Sequence, residues 1–246
     1  MEITGGTANS PVISFKVCDR CGTVRFVNAR QNFANLLQRI YTEGLGNRSF
    51  LDCACNCGGY SFWAKNLGAG RCFGFDIRQH WIDQAQFLAE HRIMPSDNIR
   101  FERCDLYDLP KLGLDTFDIT LFNGIFYHLP DPISGLKIAA DLTNELLIIT
   151  TAARNDLPDG MLAVSHESEV PVMSGIYGLN WYPTGPETLA PILKWMGFPA
   201  TRVIVWRRKC DVEPANLGHL QIIAARDART LSAFDAAIRA RKSDTN

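Results

Sequence analysis

Nowhere in the 246 residues do about 18 apolar residues run uninterrupted. The first eighteen, MEITGGTANSPVISFKVC, show no basic start leading into an apolar stretch. A membrane span and an export leader are therefore not expected, and a cytoplasmic setting is. Net charge is almost missing as well: 25 Lys plus Arg stand against 26 Asp plus Glu, a formal −1. No overall positive field draws the chain onto phosphates, so a small-molecule partner is expected ahead of nucleic acid. No membrane partner is expected, and a homodimer is compatible with the sequence. A second Cys-x-x-Cys is also lacking. Cys18-Asp-Arg-Cys21 alone is half of a zinc site or a redox pair, and only Cys53, Cys55 and Cys57 offer further ligands. Free thiols are the plainer reading, and no metal is assigned. Cys53, Cys55, Cys57, Cys72 and Cys104 sit in apolar or glycine-rich stretches, where a reduced cysteine behaves as a small core residue.

What is present is an ordinary globular balance, 46% hydrophobic and 21% charged, long enough for one large domain with a small appendage. Residues 1–30 read as an arm with a short hairpin, Ile13 to Val17 and Thr23 to Val27, turning through Cys18 to Gly22. From Asn32 to Thr42 the apolar residues recur at helical spacing until Gly44 and Gly46. Strand-like runs then follow at Ser49 to Cys53, Cys72 to Asp76, Ile99 to Cys104, Phe117 to Phe122 and Leu146 to Thr150. Helical patterns lie between them, at Tyr60 to Leu67, Gln79 to His91 and Leu136 to Leu142. Such alternation predicts an α/β fold with a doubly wound, mostly parallel sheet, its ligands beyond the carboxyl ends of the strands.

Residues 151–182 break the rhythm with turn formers and scattered aromatics, and read as an insertion covering the active site. A helix from Thr188 to Met196 follows, then strands at Thr201 to Arg207 and Leu220 to Ala225 that suit an antiparallel pair. The domain ends near residue 230, and residues 231–246 read as a helical, partly basic tail. The basic runs Trp206-Arg-Arg-Lys209 and Arg239-Ala-Arg-Lys242 read as solvated faces.

Four pieces, in order, carry the chemistry. In Phe50-Leu-Asp-Cys-Ala-Cys-Asn-Cys-Gly-Gly-Tyr60 an acid at a strand end precedes a run of small residues and then a helix. The run lets backbone approach a ligand closely. No Lys-Ser/Thr follows, and the glycines do not fit Gly-x-Gly-x-x-Gly, so neither a Walker loop nor a dinucleotide fingerprint is present. Asp52, Cys53, Ala54, Cys55 and Gly58 are the candidate cofactor contacts in this loop. Asp76, 24 residues after Asp52, ends the next strand, where a carboxylate can take both hydroxyls of a ribose; Ile77 follows it. Asp105 and Leu106 follow the third strand, within reach of an adenine amino group and ring face. Asn123 and Gly124 open the loop after the fourth, beside the reacting end of the ligand.

With these pieces in place, residues 51–151 resemble the class I S-adenosylmethionine methyltransferases, a Rossmann-like fold. Within that superfamily, Asp52-Cys-Ala-Cys-Asn-Cys-Gly-Gly-Tyr-Ser-Phe62, Asn123-Gly-Ile-Phe-Tyr-His128 and Trp181-Tyr-Pro-Thr184 resemble the group containing the tRNA wobble-uridine oxyacetate methyl- and carboxymethyltransferases. The likeness covers roughly residues 50–206 and implies S-adenosylmethionine as cofactor. Ala54 and Asn56 stand where that group has glycines, which implies a similar but bulkier path. The large N-terminal region of the tRNA enzymes is replaced by about 45 residues, so substrate is not carried over.

Methyl transfer needs in-line approach to an activated methyl, and a base only for poorly acidic acceptors. His128, after the fourth strand, is the candidate base for a hydroxyl acceptor. His166 is a second, with Glu167 and Glu169 near enough in sequence to orient it. Tyr127, Arg154, Tyr177, Asn180, Trp181 and Tyr182 are candidates to wall a substrate pocket. The expected activity is methylation of a small molecule, at a hydroxyl of a glycan, lipid or secondary metabolite. Modification of tRNA, or nucleotide binding without turnover, are the alternatives.

Overall fold

A computed structural model describes residues 23–91, 94–167, 176–207 and 217–243 of the chain. A long helix, α1 (Thr23–Ile40), precedes β1 (Phe50–Cys53), α2 (Gly59–Asn66), β2 (Cys72–Asp76), α3 (Gln79–Glu90) and β3 (Ile99–Arg103). After a 3₁₀ segment over Leu106–Leu112 come β4 (Phe117–Asn123), α4 (Pro132–Asp141) and β5 (Thr143–Arg154). Two short strands follow, β6 (Leu162–His166) and β7 (Leu179–Pro183), then α5 (Pro186–Trp195), β8 (Ala200–Arg207), β9 (Leu217–Ala225) and α6 (Ser232–Ser243).

Seven strands form one sheet in the order β3-β2-β1-β4-β5-β9-β8. The first five are mutually parallel, and β9 runs antiparallel to both β5 and β8. The inner parallel strands β1, β2 and β4 are mostly buried on both sides because helices cover both faces, whereas the edge strand β3 carries Arg100, Glu102 and Arg103. Adjacent residues of β1 divide accordingly. Phe50 packs with α1, α2 and α6 around Leu37, Ala64 and Phe234, while Leu51 and Cys53 pack on the side of α4 and α5 with Leu136, Ala139, Leu189 and Leu193. From β1 the chain winds outward to β3, then crosses back to β4 on the other side of β1. The sheet therefore reverses winding between β1 and β4, the place where α/β sheets open a crevice at the strand ends.

The doubly wound sheet and the antiparallel terminal pair match expectation. Two regions differ. Thr23 to Val27, expected as a hairpin strand, belongs to α1. Its β-branched residues favour strands only weakly, and extending an established helix costs far less than starting one. Ile13 to Val17, Cys18 and Cys21 lie outside the described residues. Within 151–182, the first four residues continue β5, pairing from Thr151 opposite Leu220 to Arg154 opposite Leu217. The separate antiparallel pair β6–β7 holds the rest of its described ends together, from Leu162 opposite Pro183 to His166 opposite Leu179. Among the described residues no helix is long and apolar enough to cross a membrane.

Candidate active site

Beyond β1 the chain reaches α2 through a loop in which Ala54 (φ 54°), Asn56 (φ 49°) and Gly58 (φ 77°) all take the left-handed conformation. For a residue with a side chain this costs roughly 1–2 kcal/mol. Two hydrogen bonds hold the path: Cys55 N donates to the Phe75 carbonyl (2.8 Å), and Asn56 N to Asp76 Oδ2 (3.1 Å). At Gly58 there is no alternative to glycine, because a β-carbon would lie 2.4 Å from the Phe101 ring. The positions where the resembled group has glycine thus keep a glycine-like backbone, filled by Ala54 and Asn56.

Asp52 and Asp76 both end strands, yet they serve different ends. Asp52 is 1% exposed, and its Oδ2 accepts from Ser61 N (3.1 Å) and Ser61 Oγ (2.8 Å), tying β1 to the first turn of α2. Burial pushes its carboxyl up to about 7, against the two Ser61 bonds, with Asp76 adding a small push upward. Asp76 is 4% exposed, its Oδ1 accepting from Arg78 N (2.9 Å) and its Oδ2 from Asn56 N. Burial raises its carboxyl as well, opposed by those two N–H groups and by the charges of Arg78 and His80.

Where β4 ends, Gly124 N donates to the Thr150 carbonyl (2.8 Å), and the chain turns through Phe126–His128. Asp131 then caps α4 by accepting from Ser134 N (3.1 Å), with Pro132 in the first turn. The cap fixes where this turn leaves the sheet. His128 Nδ1 is hydrogen-bonded to Glu167 Oε1, and the Glu167 side chain is 2% exposed. Burial lowers the His128 pKa, opposed by Glu167 and reinforced by Arg78.

These pieces enclose a cavity of about 230 Å³ at the winding reversal. Its lining includes Ala54, Asn56, Phe75, Asp76, Ile77, Arg78, Cys104 and Leu106 from the chain around the ends of β1, β2 and β3, together with Asn123, Gly124, Ile125, Tyr127 and His128 from the end of β4 onward and Glu167, Ile176 and Tyr177 between β6 and β7. Residues 46–182 match a family described as "Methyltransferase domain", more than half of the chain. The chain belongs to this methyltransferase-domain family.

Among curated relatives, the tRNA U34 carboxymethyltransferase of Campylobacter hominis is 34% identical over 93 residues, 38% of this chain and 31% of that protein. The enzyme of the same name from Pseudomonas putida (strain GB-1) is 28% identical over 166 residues, 65% of this chain and 48% of that one. The chain therefore spans about a third to a half of the length of these relatives. Among solved structures, the N-terminal domain of EvdMO1, in the presence of SAH and D-fucose, superposes with a TM-score of 0.66 at 17% identity, over 80% of this chain and 82% of that one. Magnesium protoporphyrin IX methyltransferase from Synechocystis PCC 6803, with bound SAM, gives 0.56 at 18% identity, over 83% and 81%. At these identities the likeness is one of fold.

In this methyltransferase domain the cavity gathers Ala54, Asp76, Ile77, Leu106, Asn123 and Gly124 from the expected cofactor set. It does not gather Asp52, Cys53, Cys55, Gly58 or Asp105. Cys53 is in the core, Cys55 packs near Gly74, and Gly58 lies under Phe101. Both oxygens of Asp105 are engaged, Oδ1 by Tyr107 N (3.0 Å) and Oδ2 by Tyr177 Oη (2.7 Å). Of the expected substrate wall, Tyr127 and Tyr177 reach the cavity. Tyr182 stacks on Tyr127 from behind, rings 6.0 Å apart and 16° from parallel. Arg154 is forked onto Asp156, with contacts of 2.6 and 2.5 Å, and Asn180 and Trp181 do not line the cavity. His128 lines it; His166, exposed at the end of β6, does not. Neighbourhood in sequence suggested Glu167 for His166, but a strand alternates its side chains, and Glu167 turns to His128 instead. Nothing local in the sequence couples positions 39 residues apart.

Proposed function

We propose that the domain is an S-adenosylmethionine-dependent methyltransferase acting on a small-molecule hydroxyl. The observation that carries this reading is Asp76, almost wholly buried yet on the cavity wall beside a left-handed loop that brings backbone to the surface of the same cavity. The donor set suits the cofactor: the Asp76 carboxylate for a ribose diol, Ile77 and Leu106 as apolar walls for a purine, and the Ala54–Asn56 backbone for close approach. When bound, the cofactor supplies a methyl group on a positively charged sulfur, already activated toward nucleophiles. The residues of the chain then bind, orient and keep water out, with the turn at Asn123–His128 flanking the reacting end. A cytoplasmic setting belongs to the same reading, in which the five described cysteines stay as free thiols.

A second reading, tRNA carboxymethylation or methylation, is favoured by the names of the curated relatives. The balanced charge speaks against it, as does the buried Glu167 carboxylate, which would oppose a carboxylated transferable group in the cavity it lines. Calorimetric titration with S-adenosylhomocysteine tests the cofactor assignment, which requires saturable one-to-one binding by the wild type. Replacing Asp76 by Ala should weaken that affinity about 30-fold, roughly 2 kcal/mol for lost charge-assisted bonds to the ribose. An unchanged dissociation constant would refute the ribose role. Strongly salt-dependent binding of tRNA by the same protein would favour the second reading.

A further inference from the structure

We infer that Glu167 is a positioning residue for His128, holding the imidazole so that its Nε2 takes the proton of a neutral acceptor hydroxyl; this rests on the methyltransferase reading above. Three observations carry it. Glu167 Oε1 engages His128 Nδ1, and a carboxylate only accepts, so the ring proton stands on Nδ1. With Nδ1 so engaged, Nε2 is the basic nitrogen left to accept a proton, and His128 lines the cavity. The other carboxylate oxygen, Oε2, is buried with no hydrogen-bond partner among the described residues. A buried carboxylate so poorly satisfied is costly unless positive charge forms beside it, and proton uptake by His128 forms that charge.

The charged groups acting on His128 are Glu167, which favours its cation, and Arg78, which opposes it; burial opposes it further. The ring therefore stays neutral near neutral pH, the state a base must start from. Tyr127, whose ring centroid lies 4.0 Å from that of His128, and the apolar Ile125 and Ile176 line the same cavity. Such walls suit an uncharged acceptor with a flat or apolar body, and the Glu167 carboxylate disfavours an anionic one.

The step balances as follows. The acceptor oxygen forms its bond to the methyl carbon as the carbon–sulfur bond breaks and its electron pair returns to sulfur, giving a neutral thioether. The hydroxyl proton passes to Nε2, and the imidazolium, paired with Glu167, later releases it to water.

The test is nitrogen-15 NMR of histidine-labelled full chain saturated with S-adenosylhomocysteine, with His128→Asn identifying the resonances. The expected wild-type spectrum has a protonated Nδ1 and a bare Nε2. Glu167→Gln should move the His128 titration to lower pH, since the charge that favours the cation is lost. Glu167→Ala should mix the two tautomers, and Glu167→Asp should restore the wild-type one. A wild-type Nε2–H tautomer, or a titration unmoved by Glu167→Gln, would overturn the pair while leaving the cofactor reading intact. Failure of the wild type to saturate with S-adenosylhomocysteine would instead overturn the methyltransferase reading, and the pair's role with it.

Discussion

On the proposed reading, β1 to the end of β4 form the cofactor half of the domain and the segment built on β6 and β7 its cover, and the two are held by different forces. In the first, the loops after the buried strands β1 and β2 are wedged by packing: Gly58 lies under Phe101, and Asp52 is sealed onto Ser61. The second has partly exposed strands, packs the half-buried Leu162 and Tyr177 against the core and Tyr182 on Tyr127, and is tied at the cavity by polar contacts, Tyr177 to Asp105 and Glu167 to His128. Packing makes the cofactor half unable to yield locally, whereas polar ties let the cover be adjusted one bond at a time.

The hardest blow to this contrast falls on Gly58. Replacing it by Ala adds a β-carbon 2.4 Å from the Phe101 ring, at a φ of 77° that already strains any side chain. Phe101 is itself buried against Phe62, their ring centroids 5.4 Å apart, so the ring has little room to retreat. The expected loss is about 3 kcal/mol of unfolding free energy, from overpacking plus backbone strain. Urea unfolding measures it. A loss under about 1 kcal/mol would mean that the loop yields, and the contrast would fail.

A smaller effect bears on the tie between Asp52 and Ser61. Its folded carboxyl, near 7, lies far above the ordinary 3.8, so the folded chain holds a proton that the unfolded chain releases. The stabilisation linked to that proton is full below about pH 4 and is lost as the pH rises toward and through 7, at no more than about 1.4 kcal/mol per pH unit. Asp52→Asn keeps an acceptor for Ser61 and removes the titration. Subtracting its stability profile from that of the wild type between pH 4 and 8 should leave this falling slope. A flat difference would contradict the assignment.

The same contrast explains what could be read from the residues alone. Runs such as Cys72 to Asp76 and Phe117 to Phe122 are legible because a strand buried on both faces is mostly apolar, and the acid ending the first of them stands out. Asp52 stands out in the sequence for the same reason, whereas its partner, Ser61, is a matter of tertiary contact that the run does not record. The pair β6–β7 was hidden because Leu162 to His166 is partly exposed and shows neither the apolar run nor the clean alternation that marks a strand. The His128–Glu167 contact joins two loops separated by β5 and β6, and no local periodicity records it.

The smallest expected effect bears on the cover itself. Tyr177 Oη donates to Asp105 Oδ2 at 2.7 Å, and Asp105 is held in turn by Tyr107 N. Burial and the hydrogen bond to Asp105 both raise the pKa of the phenol, so it keeps its proton and remains a donor throughout the neutral range. Tyr177→Phe deletes that one bond, keeps the ring that meets Tyr107 edge-on at 6.5 Å, and leaves an Asp105 oxygen partly open to water. About 1 kcal/mol is at stake, a few-fold change in local opening. Amide exchange at Leu162–His166 and Leu179–Pro183 should therefore quicken about fivefold while exchange in β1 and β4 stays as it was. Equal acceleration in all four strands would show that the cover and the cofactor half open together, and the separation drawn between packing and polar ties would not stand.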